Sequence, residues 1–195
     1  MMMDKDPIVW TGSQQLLGEE IQAFMNESTI DSSYVLRQTL SCERMDSQHY
    51  NQVAGHEMHS YMENGELKMT HVIGNVIVNY FPLDEDSLMV AMNHMESTEM
   101  KMFMGENRKI RKIWMPAATG TFYPIPMIPA GVRFLENFQW FDYVRPTSPQ
   151  DIFVWRGKAK GSELKKSVQR KVPLQKLNSK NKKHGIVQDS GAKEI

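Results

Sequence analysis

Cysteine is nearly absent: Cys42 is the only one in 195 residues. An internal disulfide and a zinc site built on cysteines are therefore excluded within one chain. Cys42 reads as a half-buried small apolar residue. No run of 18 apolar residues occurs, so no helix is expected to cross a membrane. The opening Met1-Met2-Met3-Asp4-Lys5-Asp6-Pro7 lacks a charged segment followed by an apolar one, so no signal peptide is expected in this chain. It begins almost directly in strand-like sequence and reads as a fragment or a mature piece of a longer protein. The loops that cradle phosphates are missing: there is no P-loop and no Gly-x-Gly-x-x-Gly. Net charge is zero, but the halves differ. Residues 157–195 hold 11 Lys+Arg against 3 Asp+Glu, and residues 1–156 hold 12 against 20. The body is mildly acidic and the tail strongly basic.

What is present is alternation. From Val53 to Tyr80 the chain reads as strand, turn, strand, break, strand. Asn64-Gly65 predicts a tight type I′ hairpin, because both central residues of that turn need φ > 0. Gly74-Asn75 is read as the break. Val76, Val78 and Tyr80 then alternate with Ile77 and Asn79, the period of a strand. Three segments resemble one another: Phe24-Met25 to Ile30, Tyr61-Met62 to Leu67, and Phe103-Met104 to Ile110. Their aromatic residues lie 37 and 42 residues apart. A period of about 40 predicts stacked supersecondary units.

Along the chain, Leu16 to Met25 fits a helical stripe, but Gly18 and the loop after Asn26 favour strand. Ile30 to Leu40 is the returning strand. Turns are expected around Asp46-Ser47 and over Asp84-Glu85-Asp86-Ser87. Arg108, Lys109, Arg111 and Lys112 give the third hairpin a basic rim. From Pro116 on, Pro124, Pro126, Pro129, Gly120 and Gly131 oppose regular sheet and helix interior. Apolar residues persist there, so 116–156 is read as an irregular cap over the 1–156 β domain. Val132 to Trp140 is a short helical turn or a strand, and Asp151-Ile152-Phe153-Val154-Trp155 a last anchor. Residues 157–195 read as a basic, disordered tail; Leu164, Val168, Val172 and Leu174 form one helical stripe in it.

Catalytic patterns are missing. His56 and His59 are three apart, and on a strand such residues point to opposite faces. A metal site would need His71 or His94 as well, so no metal and no cofactor are expected. There is no nucleophile elbow. Acidic residues gather mainly at turns. The tail lacks interleaved aromatics, so no nucleic-acid partner is expected. The chain is read as a non-enzyme. Its oddity is 16 methionines, several at strand positions. Methionine either replaces leucine in an ordinary core or lines a surface that adapts to an irregular apolar ligand.

From Asp6 to Phe153 the chain resembles the OstA-like proteins of Bacteroidetes, of the OstA/LptA family of periplasmic lipopolysaccharide-transport proteins. The likeness rests on Asp6-Pro7-x-x-Trp10, Ile30-Asp31-Ser32, Tyr50-Asn51-Gln52-Val53-x-Gly55-x-x-Met58-x-x-Tyr61, Val72-x-Gly74-Asn75 and Glu96-Ser97. It continues in Gly120-x-x-Tyr123-Pro124, Ile128-Pro129, Phe138-x-Trp140 and Ser148-x-x-Asp151-Ile152-Phe153. The resemblance implies an all-β fold, a β-jelly-roll or V-shaped β-solenoid of stacked hairpins with two sheets facing an apolar groove. It implies a periplasmic bridge that carries lipopolysaccharide, through its lipid A, towards the outer membrane. Partners would be other Lpt-type envelope proteins or further copies, paired through edge strands. No catalytic residue carries over. The residues expected to line the groove are Met58, Met62, Val76, Val78, Met100, Met102 and Met104, with Tyr61 and Phe103 on the opposite parity. The competing reading is a non-enzymatic β-solenoid scaffold that pairs edge to edge around a filled interior and binds no lipid.

Overall fold

The structure is a computed structural model and describes residues 1–27, 29–105, 110–154, 156–157 and 163–165. Ten strands follow in order: β1 (Met2–Asp4), β2 (Ile8–Thr11), β3 (Gln14–Leu17), β4 (Glu20–Asn26), β5 (Thr29–Arg44), β6 (Tyr50–Glu63), β7 (Glu66–Tyr80), β8 (Ala91–Met104), β9 (Ile110–Trp114) and β10 (Thr119–Pro124). All pair antiparallel in one open sheet. The fold is all-β, as expected. Leu16 to Met25 is strand on both sides of Gly18. Asn64 and Gly65 have φ of 53° and 78°, the left-handed pair that the β6–β7 hairpin requires. The described residues of the three look-alike segments close the ends of β4 and β5, of β6 and β7, and of β8 and β9, which pair as hairpins.

Four strands of 14 to 16 residues form the middle of the sheet. Each is interrupted at the same level, β8 by Thr98, which has no partner in the register with β7. Register slips between Leu36 and Thr39 on β5, between Ala54 and Glu57 on β6, and between Ile73 and Val76 on β7. Arg37, Gln38, Gly74 and Asn75 have positive φ there. Gly18 and Glu19 separate β3 from β4 on the same line. A bulge adds a residue to one strand, bends it and increases its twist, so a row of bulges folds the sheet across all its strands. Gly74-Asn75 is therefore a bend inside one strand, where the sequence suggested a break. The hydrogen-bonded ladder resumes beyond the extra residues.

The line of bulges divides the sheet into two half-sheets. The first holds β1, β4, β9 and residues 29–36, 57–63, 66–73 and 99–104 of the long strands. The second holds β2, β3, β10 and residues 39–44, 50–54, 76–80 and 91–97. The two facing sheets implied by the resemblance are thus two halves of one continuous sheet.

The proline-rich region is more regular than its composition suggests. β10 forms although it contains Gly120 and ends on Pro124. It pairs with β8 alone, and an edge strand tolerates residues that a central strand does not. After it come a 3₁₀ turn (Ile125–Met127), a single helical turn α1 (Ala130–Arg133), a tight turn closed by Phe138 N donating to Leu135 O at 2.8 Å, and chain without regular structure to Phe141. This segment covers the outer face of the second half-sheet. Leu135 and Phe141 are buried with Leu17, Leu40, Cys42 and Ala54, and Phe138 and Trp140 pack beside them. Ile128 is buried with Phe81 and Met92. Val154 is exposed, and Trp155 lies outside the described residues, as do Arg108 and Lys109. Of the basic tail only Gly157 and Glu163–Lys165 are described; Leu164 packs against the Leu17 cluster. Val168, Val172 and Leu174 lie outside the described residues.

Candidate functional site: the inner face of the bend

One row of residues crosses the first half-sheet in direct register. Met3 pairs with Ile21, Ile21 with Val35, Val35 with Met58, Met58 with Val72, and Val72 with Met100. Across the bend a second row runs Val9, Leu16, Ser41, Val53, Val78 and Met95. Both rows contribute to one apolar cluster. Ile21, Val35, Met58, Val72, Val76, Val78 and Met100 are buried in it, and Val9, Leu16, Val53, Tyr80, Met95, Met102, Ile113 and Met115 pack around them. No residue of the cap belongs to this cluster. The two half-sheets therefore cover each other, and the cluster lies inside the bend.

Glycine makes the close approach possible. A Cβ on Gly55 would sit 2.5 Å from Val72 Cγ1, and one on Gly18 would sit 2.2 Å from Val35 Cγ1. Both valines are buried core members. On the exposed side of the bend Arg37 meets Glu19 at 3.2 Å and Glu20 at 2.8 Å. Hydrogen bonds from Gln22 and then Arg37 hold the Glu20 carboxyl below its ordinary value.

Five of the seven expected lining residues meet in this cluster: Met58, Val76, Val78, Met100 and Met102. Four are sealed, with exposures between 1% and 4%, and Met102 is half-buried. Met62 and Met104 lie outside it, half-buried beside the hairpin tips. Tyr61 and Phe103 stand on the outer face, in one cross-strand row with Phe24 and Met69. In the first half-sheet Met58, Met100 and Met102 therefore face inward, whereas across the bend on β8 it is Met95 that does so and Met92 is buried under the cap. Towards the tips the inner face becomes partly polar, through Ser33, Ser60 and Thr70, which are successive cross-strand partners. The cluster is aliphatic and methionine-rich with one tyrosine. Such a surface can accommodate apolar matter and holds no acid–base pair.

The outer face of the first half-sheet carries the histidines. His59 and His71 are direct partners on β6 and β7. Each is tied to a carboxylate, His59 Nε2 to Glu57 at 3.2 Å and His71 Nε2 to Glu99 at 2.6 Å. His56 sits in the bulge and is exposed. Several acidic residues thus stand on strands rather than at turns. Among the described residues, no group of three or more His, Cys, Asp or Glu is placed to hold a metal ion, and no helix is long and apolar enough to cross a membrane.

A row of buried amides on the outer face of the second half-sheet escaped sequence reasoning. Gln15, Cys42, Gln52 and Asn79 are successive cross-strand partners. Gln15 Nε2 donates to Gln139 O at 2.9 Å, and its Oε1 accepts from Phe141 N at 2.7 Å. Gln52 Nε2 donates to Arg133 O at 2.9 Å, and its Oε1 accepts from Leu135 N at 2.9 Å. Asn79 Nδ2 donates to Val132 O at 2.8 Å, and its Oδ1 meets His94 Nδ1 at 2.6 Å. Cys42, in the middle of the row, is fully buried, which pushes its thiol pKa far up. The available signal was an amide on β3, β6 and β7 at positions where an aliphatic residue would be ordinary, in register with Cys42 on the intervening β5.

Comparison of the chain with protein-family models, with curated proteins and with solved structures finds no match in any of the three.

Proposed function

We propose that this chain is a lipopolysaccharide-binding component of a periplasmic bridge, which carries acyl chains on the inner face of its bent sheet towards the outer membrane. The observation that supports the reading is the inner face itself. It is apolar, rich in methionine and continuous from β1 and β2 at one end of the sheet to β9 at the other. Its half-buried fringe of Met95, Met102 and Met115 offers unbranched, polarizable side chains that can repack around an alkyl chain. Each CH₂ buried there contributes about 0.8 kcal/mol. The open edge strands are templates for pairing with a Lpt-type envelope protein or a second copy. The resemblance to OstA-like proteins supplies the identity of the lipid and the compartment.

A second reading has its own support. Val72 and Met100 are almost completely buried at the bend, as a core without a ligand would be. On that reading the chain is a scaffold that pairs through its edges and carries no lipid.

Native mass spectrometry of the chain with purified lipopolysaccharide separates the two. The carrier reading expects a discrete adduct of lipopolysaccharide mass, weakened by Met102→Asp at the half-buried fringe. Val78→Asp, at a sealed position, should unfold the sheet instead. A ligand-free mass with concentration-dependent oligomers would leave the scaffold.

A further inference from the structure

The amide row under the C-terminal segment recognises backbone and nothing else. Gln52 takes the carbonyl of Arg133 and the N–H of Leu135; Gln15 takes the carbonyl of Gln139 and the N–H of Phe141. Both clamps read a carbonyl at one residue and an N–H two residues on, the spacing at which a strand presents both groups to a neighbour. Gln139 repeats the pattern one layer out, with Glu163 O and Lys165 N. The rest of the contact is generic burial of Leu135, Phe138, Trp140 and Phe141. The segment is tied to the sheet without joining its ladder of strands. Three buried donors along it, Trp10 Nε1, Trp140 Nε1 and Arg133 Nε, have no acceptor among the described residues. Unpaired buried donors weaken an interface.

We infer that the outer face of the second half-sheet is a groove for a peptide that turns between two clamped stretches and carries bulky apolar side chains, and that residues 132–141 are its built-in ligand, able to lift as a unit while the sheet stays folded. A segment of another protein with the same turn and the same spacing of apolar residues would satisfy the same clamps.

Cys42 reports on this. It is fully buried between Gln15 and Gln52 and belongs to the cluster of Leu135 and Phe141. A thiol reagent reaches it when the strap lifts or when the sheet unfolds. In the wild-type chain, iodoacetamide should label Cys42 at least about tenfold faster than global unfolding permits, as local opening does. Leu135→Asp, which weakens the strap and leaves the groove intact, should raise that rate by roughly tenfold or more, because a charge buried there is unfavourable. A synthetic peptide of residues 130–143, added to Leu135→Asp, should restore protection. The same peptide N-methylated at the residues matching 135 and 141 should not. Labelling of the wild-type chain that keeps pace with global unfolding would overturn the inference, as would a peptide without effect on the variant. If Leu135→Asp does not fold, the urea dependence of wild-type labelling decides. A shallow slope supports strap opening, and the full unfolding slope overturns it.

Discussion

Gly55→Ala tests how the bend is built. Gly55 is not among the residues with positive φ, so the backbone does not demand glycine there. What demands it is space, since an added Cβ would lie 2.5 Å from Val72 Cγ1. Valine is branched at Cβ and stiff at χ1, and Val72 is fully buried, so the clash cannot be relieved by a rotamer change. Overpacking of this kind costs about 1–3 kcal/mol. Val72→Ala alone removes two methyl-sized groups, about 1.6 kcal/mol of transfer energy, and leaves a cavity that raises the cost to about 2–3 kcal/mol. If Gly55 is glycine because of Val72, the alanine methyl of Gly55→Ala fills part of that cavity. The double variant should then be less destabilised than the sum of the singles by about 1 kcal/mol or more. Urea denaturation of the four proteins, followed by tryptophan fluorescence, measures the cycle. Singles that add to within about 0.5 kcal/mol would refute the argument, because independent sites behave that way.

Three further outcomes follow from the same geometry. Asn79→Leu should destabilise the protein by about 1–3 kcal/mol, because it strands Val132 O and His94 Nδ1 under the cap; thermal unfolding of the variant measures this. Burial alone would raise the Asp46 pKa, but hydrogen bonds from Gln48 and His49 outweigh it, and the net shift is downward. A depressed carboxylate stabilises the fold above its unfolded pKa of about 3.9 and loses that contribution as pH falls through the lower folded value. The amides of Gln48 and His49 should therefore stay protected from exchange at pH 5 and lose protection below about pH 4; unchanged protection down to pH 2 would contradict it. In the bulges, Gly74→Ala meets both a φ of 81° and His56 Cβ at 2.9 Å, and should cost more than 1 kcal/mol, roughly. Arg37→Gly relieves a left-handed residue but loses two exposed ion pairs and adds chain entropy, and should fall within about 1 kcal/mol of wild type; equal costs for the two would refute this account of the bend.

The sequence was most legible where one face of the sheet is open to solvent. In the first half-sheet, Met58 and Ser60 are buried while Glu57, His59 and Tyr61 are not, and alternation of period 2 is visible to the eye. In the second half-sheet both faces are covered, and Gln52, Ala54 and Gly55 are all buried. Alternation there does not separate a buried face from an open one, so the bend near Gly55 and Gly74 could not be read. The signal at Gly74-Asn75 was genuine but ambiguous: a pair of left-handed residues makes a turn or a bulge, and only the pairing of β7 with β6 and β8 decides which.

The candidate site divides along the same line. The expected lining methionines do not behave as one set: Met58, Met100 and Met102 join the inner cluster, Met62 and Met104 do not, and whether a methionine is sealed or accessible depends on its distance from the bend. Met58 and Met100 lie one step from the bulges and are closed over; Met102 lies further out and is half-exposed to the fringe. That distance exists only once the bulges are aligned across four strands. The amide row was hidden for a different reason. Gln15, Gln52 and Asn79 look like solvent-facing residues of amphipathic strands until a segment more than fifty residues away in sequence supplies the backbone that satisfies them. A polar residue at a core position is cheap only if its partner is fixed in space. The irregular segment around Leu135 has no strand of its own to rely on, so it needs those side chains as much as they need it. Apolar content explains why the cap adheres to the sheet; the amides explain why it adheres in this register.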